Sequence, residues 1–272
     1  MSSPHLQRIV FGLVVPSAGS GLGERVDQLA QWMSERIGVS IQRRDAASYE
    51  ALATDVREGR TDVAWLPPIV YVRLGDVVTP LGSILRGGAS AYEAALIVRA
   101  DSKIQTIDAL RGARAGWVDR WSAAGFVLPR MKLALLGVDP RTLFRTETFH
   151  GSHRSMIKAL LDGACDVAGT YARADDKGVV SAGAWSEIDG AAVHVLATFG
   201  AIPPDVLAVR TAVADRIREK AVAAFREACS DAETRVLIRD VFGGEDLKEG
   251  LAPGYDSLQS ALETATARGI FD

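Results

Sequence analysis

Gly59-Arg60-Thr61-Asp62-Val63-Ala64 recurs later in the chain as Gly163-Ala164-Cys165-Asp166-Val167-Ala168. In each copy the glycine follows an apolar stripe of helical spacing, and Asp-Val-Ala opens a short apolar run of strand character. A helix stop joined to a buried strand, used twice, predicts two lobes built on one plan. Working outward from the first copy, Ile9 to Val15 is an apolar run ended by Pro16-Ser17-Ala18-Gly19, a strand feeding a loop. Val26, Leu29, Ala30, Met33 and Ile37 then recur at helical spacing up to Gly38, and Val39 to Arg43 is a second strand. Ser48 is placed to cap a helix with the stripe Tyr49, Leu52, Ala53 and Val56 before Gly59. With Val63 to Leu66 the order becomes strand, helix, strand, helix, strand, the half-unit of a doubly wound sheet.

The second copy ends the same series: Ala113 to Val118 as strand, Ser122 to Leu136 as helix, Phe144 to Phe149 as strand, Ser152 to Leu161 as helix, and Asp166 to Tyr171 as strand. Pro129 has no amide to bond the carbonyl of Gly125, so a kink is predicted there. Ala91 to Arg99 and Val193 to Arg210 read as two extended crossing segments, and the tail after Arg210 reads as helices packing back on the first lobe. The predicted fold is α/β: two doubly wound lobes joined by two hinge strands. The first lobe spans 1–97 plus 205–272, the second 98–204, with a ligand cleft between them. In such sheets ligands lie beyond the carboxyl ends of the strands, so chemistry is sought in those loops.

Composition narrows the function. The chain has 272 residues, 48% hydrophobic and 24% charged, enough for one large core or two modest ones. A net charge of −3 with scattered basic residues lacks the footprint of a nucleic-acid binder. Cys165 and Cys229 are far apart in apolar contexts, which excludes a disulfide framework. His5, His150, His153 and His194 show no metal-ligand spacing, and no cofactor motif is present. Met1 to Arg8 is polar and the run from Ile9 to Val15 is too short for a signal-peptide core or a membrane span, so the chain as written reads as cytoplasmic.

Several stretches, in order and spacing, resemble the phosphonate-binding proteins of bacterial ABC importers, within the type II periplasmic-binding-protein group. They are Tyr49-Glu50-Ala51-Leu52 running to Trp65-Leu66-Pro67-Pro68, Tyr92 before the strand Ala94 to Arg99, and Leu110-Arg111-Gly112 leading to Trp117-Val118-Asp119. The others are Ser122-Ala123-Ala124-Gly125-Phe126-Val127-Leu128-Pro129, Gly151-Ser152-His153, and Ile202-Pro203-Pro204-Asp205 running to Arg210. The resemblance implies that Tyr49, Tyr92, Ser122, His153 and Asp205 line the cleft. It also implies a small-molecule ligand, a transporter permease or a signalling protein as partner, and a periplasmic location. At Ser122 the hydroxyl and the first amides, those of Ala123, Ala124 and Gly125, suit an anion at a helix start. Trp65 and Trp121, with Tyr92, form a candidate aromatic cluster facing Asp205, and Ser17 is a candidate because its loop reaches the strand ends.

The sequence departs from the family at one place. Members carry a Ser-Thr-Ser-Gly type run at this helix start, where Ala123 and Ala124 stand here. Two hydroxyl donors to a charged ligand, each worth about 1.5–3 kcal/mol, are absent. The alternative is a cytosolic biosynthetic enzyme on the same fold, with His153 and Asp205 as acid and base.

Overall fold

A computed structural model of the chain describes residues 8–15, 21–85, 92–175, 179–244 and 246–271. The chain divides into two compact units: Met1–Ser90 with Pro203–Tyr255, and Ala91–Ile202 with Asp256–Asp272. Its elements run β1 (Arg8–Val14), α1 (Leu22–Ile37), β2 (Ser40–Ala46), α2 (Tyr49–Arg57), β3 (Val63–Leu66), α3 (Pro68–Leu74) and β4 (Val78–Leu85) in the first unit. The second unit holds β5 (Tyr92–Arg99), β6 (Arg114–Trp117), a π-helical turn (Ala123–Val127), α4 (Leu128–Leu135), α5 (Pro140–Leu143), β7 (Thr146–Phe149), α6 (His153–Leu161), β8 (Val167–Ala174), β9 (Val180–Gly183) and β10 (Val193–Ile202). The chain then returns through β11 (Val206–Arg210), α7 (Ala214–Ser230), α8 (Ala232–Phe242) and β12 (Asp246–Glu249), and ends with α9 (Tyr255–Ala267).

The sheets follow one plan. The first is ordered β12-β4-β11-β3-β1-β2, with β1 parallel to β2 and β3. The second is ordered β10-β5-β8-β6-β7, with β6 parallel to β7 and β8, and β9 pairs β8 off this path. In each, the third parallel strand is followed by an antiparallel one delivered from the other unit: β11 against β3, and β5 against β8. These are mixed sheets with a doubly wound parallel part.

The segment read as one crossing strand from Val193 to Arg210 is two strands in different sheets. Pro203 and Pro204 separate them, because two successive residues without amides cannot serve a ladder. The division between units also differs from the sequence reading: β5 lies wholly in the second sheet, and Asp256–Asp272 belongs with the second unit. An apolar helix face shows that a helix packs, not on which sheet. What fixes this segment is the buried Arg130, whose Nε donates to the carbonyl of Ile270 at 3.0 Å.

The first core gathers α1, α7 and α8 on β1 and β3, with Phe242 at its centre, edge-on to Phe11 and Trp65 and tilted to Phe225. Full burial of a side chain such as Phe242 stabilises by ~2 kcal/mol. In the second unit Trp117 is fully buried, edge-on to Phe126 and Phe144, and Ala95, Ile97 and Ala168 meet Met156, Ile157 and Leu160. The predicted long helix from Ser122 is a π-helical turn followed by α4. The Gly125 carbonyl that Pro129 cannot serve accepts from the amide of Val118 at 3.3 Å instead, so the lost bond is replaced from a neighbouring loop. Among the described residues no helix is long and apolar enough to cross a membrane.

Candidate functional site

At the carboxyl end of the second sheet, the loops after β6 and β7 lead into two helix starts. After β6, Trp121 is half-buried and donates its amide to Asp119 Oδ1 at 2.7 Å. Ser122, only 3% exposed, accepts the Gly125 amide on its Oγ at 3.0 Å. The hydroxyl and the Gly125 amide, both expected to face a ligand, are thus engaged with each other as a cap. Ala123 and Ala124 form the first turn and are buried. After β7, Ser152 caps α6 through the Ser155 amide at 3.1 Å, which puts His153 in the first turn. His150, in the same loop, is kept below the ordinary imidazole range by burial.

His153 is held from the neighbouring strand. Its Nδ1 lies 3.0 Å from Oγ1 of the fully buried Thr170 on β8, a contact that orients the ring. Its ring stands 5.0 Å from that of Tyr171, at 72°. Tyr171 in turn meets Tyr92, at the start of antiparallel β5, edge-on at 6.3 Å, and hydrogen-bonds Glu187 through its hydroxyl. The structure therefore gathers Tyr92 and His153 around Tyr171, a residue that sequence reasoning absorbed into a strand. The signal lay in its place near the carboxyl end of the third parallel strand.

In the first unit the same sheet end carries Tyr49, in the first turn of α2 behind the Ser48 cap, which accepts the Ala51 amide at 3.1 Å. Asp205 precedes β11, its carbonyl accepting the Ile84 amide at 3.4 Å, and the adjacent Pro204 carbonyl accepts the Tyr255 hydroxyl at 2.6 Å. Both side chains are half-buried. Trp65, expected among the ligand-facing aromatics, instead packs edge-on against Phe242 at 5.0 Å in the first core, with its Nε1 buried and unpartnered. Its strand position turns it toward the α8 layer. Ser17 lies outside the described residues. Among the described residues no three His, Cys, Asp or Glu side chains are grouped to hold a metal.

The fold is shared with known binding proteins. A Xanthomonas citri protein with ATP bound superposes with a TM-score of 0.77 at 18% identity, covering 96% of this chain and 98% of its own. PhnD1 from Prochlorococcus marinus in complex with methylphosphonate gives 0.76 at 15% identity, covering 96% and 99%. A binding protein component of an ABC phosphonate transporter from Pseudomonas aeruginosa gives 0.75 at 18% identity, covering 97% and 96%. These likenesses show the type II periplasmic-binding-protein fold. The family model described as ABC transporter, phosphonate, periplasmic substrate-binding protein matches residues 13–250, a match to transport rather than to biosynthetic catalysis. The chain belongs to that family, as a substrate-binding protein of ABC transporters.

Proposed function

We propose that the protein takes a small oxyanion of the phosphonate type at the carboxyl end of the second unit's sheet and presents it to an importer, with no catalytic step. The observation that carries this is the pairing of Ser122 and His153 as helix starts on the adjacent parallel strands β6 and β7. First-turn amides and the positive end of a helix favour an anion, and the His153 ring, oriented by Thr170, stands in the first turn of the second of these helices. Tyr92 and Trp121 flank the same sheet end. Within the first unit, Tyr49 and Asp205 at its own sheet end are further candidate ligand contacts, Asp205 for a cationic or hydrogen-bond-donating group.

Methylphosphonate, which PhnD1 binds, is the first probe. Calorimetric titration is expected to show saturable one-to-one binding, weakened roughly tenfold or more by His153→Ala through loss of one hydrogen bond to a charged group. Ala123→Thr with Ala124→Ser restores the hydroxyls found in relatives and is expected to tighten binding by a similar factor. Absence of binding to methylphosphonate, phosphate and simple sulfonates alike overturns the proposal.

A further inference from the structure

We infer that Ile270–Phe271 and the buried Arg130 form a clamp that fixes the π-helical turn behind Ser122 and so sets oxyanion affinity; the affinity half of this inference rests on the function proposed above. Arg130 is 2% exposed and its guanidinium works in two directions. Nε donates to the Ile270 carbonyl at 3.0 Å and Nη1 to Glu147 Oε2 at 2.5 Å, an oxygen that also accepts Trp117 Nε1 at 2.6 Å. Ile270 is buried and, with Met131, Ala134, Ala261 and Ala265, lines a largely apolar pocket between α4 and α9.

The clamp closes on the π-turn through Phe126. That ring lies 6.1 Å from Phe271, 5.1 Å from Phe149 and 5.6 Å from Trp117, with the Arg130 guanidinium carbon 5.3 Å from its centre. A π-turn carries one residue more than the α-helical turn that would replace it, so it persists where side chains outside the helix hold it. Relaxation to α-helical register would turn the first-turn amides after Ser122 away from their present direction. Arg130, Ile270 and Phe271 are therefore positioning residues.

The test compares Phe271→Ala, Phe271→Leu, Arg130→Lys and, as a destabilised control elsewhere in the second unit, Leu110→Ala, whose side chain is fully buried. Amide exchange of residues 123–128 and the methylphosphonate dissociation constant are measured in the full chain. Phe271→Ala and Arg130→Lys are expected to speed exchange there about tenfold and to weaken binding by a similar factor. Lysine keeps the charge but puts one nitrogen where the guanidinium fork presents Nε to Ile270 and Nη1 to Glu147. Phe271→Leu is expected to recover most of both effects, and Leu110→Ala to leave both within about twofold at a comparable loss of Tm. Unchanged exchange over 123–128 in Phe271→Ala overturns the clamp, even if Arg130→Lys fails to fold. Faster exchange in a protein that binds none of methylphosphonate, phosphate and simple sulfonates upholds the clamp and overturns the function, and with it the affinity half.

Discussion

Asp62 in the first unit and Asp166 in the second each accept the amide of a residue 52 positions earlier, Val10 at 3.0 Å and Arg114 at 2.9 Å. Each returns its own amide to that residue's carbonyl, at 2.9 and 2.8 Å. The helix stops match as closely. Gly59 and Gly163 both sit at φ 73°, their amides bond Val56 and Leu160 carbonyls at 3.1 Å, and the next amides reach Asp55 and Ala159 at 2.8 Å. The cation differs. Asp62 is met by Arg210 from β11, a single contact at 3.2 Å, and Arg210 Nε is buried without an acceptor. Asp166 is met by Arg114 of β6 through both Nε and Nη2, at 3.1 and 2.7 Å. The repeat is a joint at the amino ends of the third parallel strands, while the candidate ligand contacts lie at the opposite ends, where the two copies diverge into Leu66-Pro67 and Thr170-Tyr171.

The sharpest way to break this equivalence is to remove the two aspartates. Asp62 and Arg210 are 14% and 25% exposed in their side chains, so Asp62→Ala strands a guanidinium that water reaches poorly, at a cost of about 3 kcal/mol. Asp166 and Arg114 are about a third exposed, solvent takes up the lost contacts, and Asp166→Ala is expected to cost about 1 kcal/mol. Urea denaturation measures both. Equal costs would mean that Arg210 is solvated in solution and that the joints do not differ.

Acid sharpens the contrast at the turn before each glycine. Hydrogen bonds from Arg44 foremost, and then from Arg60, hold the Asp55 carboxyl below the usual carboxylate range, and the matching position in the second unit is Ala159. A carboxylate whose pKa is lowered by folding adds stability above its unfolded pKa of about 4, and that stability disappears as pH falls through the folded value. Asp55→Asn is therefore expected to cost about 2 kcal/mol at neutral pH and almost nothing at strongly acid pH. Asp166, lowered by Arg114, gives the second unit an acid limb of the same sign. A pH-independent loss in Asp55→Asn would show that the amide disturbs packing rather than removing a charge interaction.

How far the sequence carried depended on whether a feature was local. Val63 to Leu66, the Ser48 cap and the glycine stop at Gly38 were legible because each is decided within a few residues. The π-turn was half legible: Pro129 announces a missing bond, but only the folded chain shows Val118 supplying it. Nothing in the apolar stripe of α9 says that Arg130 will anchor the segment after it. At the candidate site, Ser122 and His153 were readable as helix starts following strands. Trp65 was misplaced because an aromatic near a strand end reads alike whether it faces a ligand or Phe242. Tyr171 was missed because its partners His153, Tyr92 and Glu187 come from separate elements.

The smallest expected difference is the most exacting check on the joint. Gly59→Ala and Gly163→Ala each force an alanine into left-handed backbone, at a cost of about 1 kcal/mol. The new methyl group would lie 3.5 Å from the Arg210 guanidinium in the first case and 3.0 Å from Arg99 Nη1 in the second. The second distance is tight, but Arg99 is 40% exposed, pairs with the exposed Asp101 and can swing outward. The two substitutions are therefore expected to agree within about 0.5 kcal/mol, as thermal denaturation would report for equivalent helix stops. A markedly larger loss at Gly163 would show that Arg99 is held in place over the second joint, an element of structure with no counterpart in the first.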